Sequence, residues 1–151
     1  GRGFGICLIL EGSEAGAPAT PAAFGTEALI EDFDTGDDGL LTLQVRGARR
    51  FHVERTRVRD NGLMVGEVRW READLDDSLR PEHALLATVL QHFLEKAGGE
   101  HSKVSNARFD DAAWVGWRLA EFLSLDDAQR LTILQEDDVH ERLQKLLRMM
   151  P

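Results

Sequence analysis

The spacing of apolar residues changes once along this chain, near residue 80, and that change limits what it can fold into. Before it, apolar residues come in short runs or alternate with polar ones, as in Leu41-Thr-Leu-Gln-Val45, and Gly and Asp break the runs. Alternation sends successive side chains to opposite faces of an extended strand. After it, apolar residues recur three and four positions apart, which draws one stripe along a helix. The order predicts an α+β chain: a mainly β part over residues 1–78, then a helical bundle over 79–151.

Five strands are expected in the first part. Phe4–Leu10 is continuously apolar, as a strand covered on both faces would be. Gly12–Pro21 is a loop of small residues and prolines, and Phe24–Phe33 is a second strand with Ala28, Ile30 and Phe33 on one side. Asp34-Thr-Gly-Asp-Asp-Gly39 is a turn by composition. Leu41–Arg46 is a third strand, and Gly47 makes a tight connection to a fourth, Phe51–Val58. Asp60-Asn61-Gly62 signals a hairpin into the fifth, Leu63–Trp70. Strands joined by short turns make an antiparallel sheet, curled or closed into a barrel.

Four helices are expected in the second part. Pro81 suits a first helical turn, with Asp77 or Ser78 as its cap. Leu85, Leu86, Val89, Leu90, Phe93, Leu94 and Ala97 form its stripe, and Gly98-Gly99 stops it. After a polar connector come Trp114, Val115, Leu119, Phe122 and Leu123. Ser124 and Asp127 read as a capping box for a third helix holding Ala128, Leu131 and Leu134. Asp138 and Glu141 repeat the box before Val139, Leu143, Leu146, Leu147 and Met150.

The chain holds 27 acidic and 18 basic residues among 151, a net charge of -9. Such a surface repels phosphate backbones and anionic lipid, so neither nucleic acid nor membrane is an expected partner. The basic cluster Arg46, Arg49, Arg50, Arg55, Arg57 and Arg59 lacks interleaved aromatic platforms and reads as a solvated face. The lone Cys7 excludes an intrachain disulfide and reads as a small buried hydrophobe. No apolar run approaches the roughly 20 residues of a membrane span, and no signal peptide is visible. The expected location is the cytoplasm.

Motifs for chemistry are missing. No phosphate-cradling Gly-x-x-x-x-Gly-Lys-Ser/Thr occurs, and Gly1, Gly3 and Gly5 precede a strand instead of opening a helix. His52, His83, His92, His101 and His140 are scattered singly, unlike zinc ligands. His83 and His92, nine apart, fall on different sides or turns of one helix. A Cys7–His52 pair is left open. The acidic pairs at 37–38, 76–77, 110–111, 126–127 and 137–138 mostly stand before predicted helices, where carboxylates cap free amides. Asp34–Gly39 lacks the closing Glu and flanking helices of a calcium loop. No catalytic, metal or cofactor residue is therefore expected, and no cofactor.

Three stretches carry a family likeness. Phe24-Gly-Thr-Glu-Ala-Leu-Ile-Glu-Asp-Phe33 resembles the Gly-Thr-x-Ala-x-Ile strand of LON domains, the N-terminal substrate-recognition domain of the ATP-dependent Lon protease. Asp38–Phe51 resembles the family's strand pair, punctuated by a glycine and an Arg-Phe. Arg118–Leu125 followed by Leu134–Leu143 resembles its helical ending, with Leu123-Ser-Leu125 where Leu-Pro-Leu is usual. The resemblance implies a PUA-like antiparallel β-barrel followed by a helical bundle. It also implies that the family's opening strand and helix, and Lon's ATPase and protease modules, are missing here. The expectation is a free-standing LON-domain protein or an excised piece of a longer one.

The function expected is a non-catalytic module that binds unfolded, exposed apolar or extended protein segments, by strand addition or in an apolar cleft. Trp70, at the end of the last strand and near the junction of the two parts, is the candidate contact residue. The alternatives are a small hydrolase using scattered carboxylates or Cys7, and a self-associating structural protein, a homo-oligomer.

Overall fold

The computed structural model describes residues 3–11 and 20–151, arranged as an antiparallel sheet and then helices. They form two compact units, Gly1–Ala73 and Asp74–Pro151. Most of the expected Gly12–Pro21 loop lies outside the described residues.

The first unit is a meander of four strands in the order β1-β2-β3-β4: Gly3–Glu11, Thr20–Thr35, Leu41–Val58 and Met64–Trp70. Every neighbouring pair is antiparallel. The sheet is not closed: β1 and β4 are its two edges, so of the two forms expected it takes the open one. β1 is correspondingly not covered on both faces, since Phe4 and Ile6 are exposed.

Five strands become four because the chain does not turn at Gly47. β2 is long enough to pair with residues 41–52 without a break, and Gly47 sits in register with Ala28. The irregularity there is a bulge between Thr26 and Ala28, which absorbs an extra residue of β3. The true turns are two copies of one device. In both Gly36–Leu40 and Arg59–Leu63 the fourth residue is a glycine at positive φ, 78° for Gly39 and 85° for Gly62. Its N–H bonds back to Gly36 or Arg59, and the preceding Asp38 or Asn61 carboxyl or amide oxygen accepts from the leucine N–H at 3.0 Å. This is a hairpin loop of a tight turn followed by a left-handed residue, which only glycine adopts cheaply.

The strands are staggered. A single row crosses all four, Cys7–Gly25–Phe51–Trp70. Phe51 is 4% exposed, its ring lying over the backbones of β1 and β2. A Cβ on Gly5 or Gly25 would come within 2.8 or 2.6 Å of its Cζ, so these glycines are the floor on which the ring rests. On either side of that row the sheet is three strands wide, as in Phe4–Ala28–Gly47 and Phe24–His52–Arg69, and farther out it thins to two-stranded ribbons, β2–β3 at one end and β3–β4 at the other.

The second unit holds α1 (Ala84–Ala97), α2 (Ala112–Phe122), α3 (Asp127–Gln135) and α4 (Val139–Met149). Leu86, Leu90 and Leu94 repeat every four residues and meet Val115, Leu119 and Leu143 in one fully buried cluster. Leu125, Ile133 and Leu146 make a second. Leu85, expected on the stripe, points to solvent. Acidic residues cap three of the helices as expected: Asp111, Asp126 and Asp138 each accept backbone N–H groups of the first turn. The box on α3 is Asp126–Gln129, not Ser124–Asp127, because only Asp126 and Gln129 satisfy each other's backbone reciprocally. Neither Asp77 nor Ser78 caps α1. Ser78 pairs with Asp111 as an isolated bridge, the Asp77 carboxylate takes the His140 ring, and Arg80 precedes a 3-10 turn at Pro81–His83 instead.

Arg142 anchors this unit. It is fully buried, in a bidentate pair with Asp74 at 2.9 and 3.2 Å, and also donates to the Glu136 carbonyl. Its guanidinium lies 3.9 Å from the Trp117 ring centroid, and the Trp117 indole N–H donates to the same Asp74 carboxylate at 2.7 Å. A buried charge is tolerated because it is paired with a carboxylate and each guanidinium nitrogen has an acceptor.

Candidate functional site

Register assigns each sheet side chain to a face. Gly5, Cys7, Gly25, Glu27, Phe51 and Trp70 share one. On it, Arg49 lies 3.6 Å over the Trp70 ring and forms a two-point ion pair with Glu27 at 3.0 and 3.2 Å. Phe51 meets Trp70 edge-on at 6.0 Å. The Arg49 guanidinium holds the Glu27 carboxyl below the usual carboxylate range, and Glu27 in turn raises Arg49. Trp70, the sequence candidate, is therefore clamped on one ring face and remains 43% exposed.

The opposite face carries a second pattern. Phe4 is paired with Ala28, Ile30 with Val45, and Phe33 with Leu43, and Leu41 and Ile6 extend the same side along β3 and β1. Phe33 and Leu41 are 69% and 62% exposed, and Phe4, Ile6 and Leu43 are exposed too. These side chains form a continuous apolar stripe from β1 across the β2–β3 ribbon. The alternation in the sequence identifies its β3 residues as one face, but alternation alone does not say which face is left uncovered.

The remaining candidates resolve as structural. Cys7 and His52 lie on opposite faces of the sheet, because Cys7 shares the row of Phe51, the neighbour of His52. They form no pair, and burial pushes the Cys7 thiol up, away from the reactive thiolate. His52 packs against the Phe24 ring at 4.8 Å. His83 is buried with Nε2 on Gln144, His140 is buried on Asp77, and His92 is exposed. The arginine cluster is laced to carboxylates on adjoining strands: Arg46 to Glu31, Arg49 to Glu27 and Arg55 to Glu67, as a solvated face requires. Asp34–Gly39 is the hairpin turn described above. Among the described residues no three His, Cys, Asp or Glu converge to hold a metal ion, and no helix is long and apolar enough to cross a membrane.

The sequence likeness implied an antiparallel β-barrel and then a helical bundle; the antiparallel strands and the four helices follow in that order, with the sheet open instead of closed. The family model of the ATP-dependent protease La (LON) substrate-binding domain matches residues 2–151. The chain belongs to that family. The solved Lon N-terminal domain protein from Xanthomonas campestris is 57% identical to this LON-family chain, with a TM-score of 0.81. The similarity covers 99% of this chain and 77% of that one. The N-terminal domain of the Mycobacterium avium complex Lon protease is 19% identical and shares the fold, with a TM-score of 0.58 over 97% of this chain and 89% of that one. No curated protein matches.

Proposed function

We propose that this LON-family chain is a non-catalytic recognition module that binds extended apolar segments of protein substrates on its sheet. The observation that carries the reading is the uncovered stripe of Phe33, Leu41, Leu43 and Val45, continued by Phe4 and Ile6. Scattered apolar residues are common on protein surfaces, whereas a contiguous stripe across three strands is the mark of an interaction site. An extended segment suits it, since such a segment places alternate side chains on one side and can follow the direction of the strands. The family supports the same role, because its model describes a substrate-binding domain and accounts for residues 2–151 without an ATPase or protease module. Trp70 lies on the opposite face of the sheet, its ring covered by Arg49, and is not part of the stripe. A lone half-buried cysteine suits the reducing cytoplasm.

The test is a titration of the full chain into dye-labelled, unfolded, carboxymethylated casein, followed by the anisotropy of the dye. Saturable binding is expected, and the paired change Phe33→Ser with Leu43→Asn should weaken it by about tenfold while shifting stability by no more than about 0.5 kcal/mol, as for other exposed positions. Binding that ignores both substitutions sinks the proposal. Light scattering over a concentration series distinguishes a second copy of the chain as the occupant. Hydrolysis of casein by the pure protein would favour the enzyme reading.

A further inference from the structure

Among the described residues β4 is an edge of the sheet, paired with β3 on one side only. We propose that its free edge pairs antiparallel with the β4 edge of a second copy of this chain, about a two-fold axis through Val68. The edge is distinct from the apolar stripe, and the inference does not depend on the stripe's role.

The backbone sets the phase. Arg71 donates its N–H to the Arg50 carbonyl, so its backbone faces β3. Successive residues of a strand turn their N–H and C=O groups to opposite sides. Val65, Glu67 and Arg69 therefore bond to β3, whereas the backbone groups of Met64, Gly66, Val68 and Trp70 point to the open edge. Such a row is a template for another strand unless prolines, lysines or bulges blunt it. β4 runs seven residues without a proline or lysine, and the irregularity at Val53–Arg55 puts the extra residue in β3.

The side chains select the register. Centred on Val68, the pairing sets Val68 against its own copy, Gly66 against Trp70, and Glu67 against Arg69. Centring on Glu67, Arg69 or Trp70 would put like charges face to face, the last through Arg69 and Arg71. Centring on Gly66 would set Glu67 against Val65 and Arg69 against Leu63 in the turn. Within one chain Arg55 lies 3.6 Å from Glu67, and Arg69 lies 2.7 Å from Glu54. The Val68 register joins these pairs into a row of alternating sign, Arg55–Glu67 of one copy followed by Arg69–Glu54 of the other. Symmetry repeats the row, and each charge keeps its own partner while gaining a second.

Gly66 completes the fit. A Cβ there would lie 3.8 Å from Cγ1 of both Val53 and Val68, so glycine leaves a shallow gap between the two valines. In this register Trp70 of the second copy, 43% exposed, stands directly opposite that gap on the same face. An aromatic side chain covers an edge glycine well from across a strand pair. The other edge, β1, has no charged residue between Gly3 and Ile9 to fix a register, and its own pairing is irregular beyond Cys7.

Pairing of one strand buries less than a standard interface, so the dimer is weak, with a dissociation constant on the order of 100 μM. The full chain is followed by sedimentation equilibrium across that concentration. Glu67→Arg and Arg69→Glu should each weaken association by about tenfold, because two attractive pairs become two repulsive ones. Mixing the two variants should restore it, since every facing pair between unlike chains is again opposite in sign. Mixing does not refold a damaged chain, so restoration reads the register itself. Hydrogen exchange at the N–H groups of Gly66, Val68 and Trp70 should slow as concentration rises, while Glu67 and Arg69 stay unchanged. Phe33→Ser with Leu43→Asn should dimerise as the unchanged chain does; loss of the dimer there would put the second copy on the stripe and overturn the proposal. So would a mass independent of concentration, single variants that associate normally, a mixture no stronger than its components, or slowing confined to β1. Carboxymethylated casein that protects the same three amides on a monomeric chain would give the edge to another protein and overturn it too.

Discussion

The helical unit and the sheet unit spend their apolar residues differently. In the first, Leu86, Leu90, Leu94, Leu119, Leu143 and Leu146 are at most 2% exposed and pack into two apolar clusters. In the second, Ala22, Ala28 and Phe51 are the buried hydrophobics among the described residues, and residues as large as Phe51 or a core leucine, such as Phe33, Leu41 and Leu43, face outward. A helix buries a stripe as soon as a second helix lies beside it. A staggered sheet has two faces and two edges, and small residues and one ring cover little of them. The helical unit therefore owns a core, while the sheet unit owns a surface. In a family whose model describes a substrate-binding domain, that contrast supports our proposal that the sheet receives apolar segments.

The comparison breaks most readily at Arg142. Asp74→Ala leaves a buried guanidinium without its carboxylate and should destabilise the helical unit by about 3–5 kcal/mol, read by urea denaturation followed by far-ultraviolet circular dichroism. A loss below about 1 kcal/mol would mean that the Glu136 carbonyl and Trp117 ring suffice to hold that charge.

The sheet's counterpart is Gly25→Ala. The new methyl meets the Ile6 carbonyl oxygen at 2.5 Å and the Phe51 ring at 2.6 Å, so Phe51 must move. Overpacking of this kind costs about 1–3 kcal/mol. Hydrogen exchange should speed up in β1–β3 and remain unchanged in α1–α4. Equal acceleration in both units would show that they unfold as one.

Acid gives the smallest and sharpest contrast. Glu27 is lowered by Arg49, Glu136 by Lys145, and Asp138 by the backbone N–H groups of Glu141 and His140. A carboxyl lowered in the folded state stabilises it above its unfolded value and loses that contribution as pH falls through the folded value. Stability should therefore be flat above the ordinary values of 4.5 and 3.8 and fall below them. Arg49→Ala should return Glu27 toward its ordinary value, measured by side-chain carboxyl NMR, and reduce the acid dependence of the sheet while leaving that of the helices intact.

Much of this was legible in residue order. The Asp-Asp-Gly and Asp-Asn-Gly turns were plain because a left-handed position demands glycine, a requirement local to four residues. Acidic helix caps were equally plain, although the choice of Asp126 over Ser124 depended on which pair could reach each other. Gly47 misled because glycine permits a turn without requiring one, and a long partner strand kept β3 straight. Trp70 was found as a conspicuous aromatic at a strand end, but nothing in the order of residues showed that Arg49 would cover it.

By itself, the sequence determined the change from strands to helices, the hairpin turns, the acidic caps and the family. Each depends on backbone geometry repeated over a few residues, which period and composition record directly. Only the tertiary structure decided that the sheet stays open, that Phe51 lies across Gly5 and Gly25, and that Arg142 is buried on Asp74. It alone decided which apolar face is left uncovered. Those outcomes depend on which distant segments meet, and no local spacing encodes the partner.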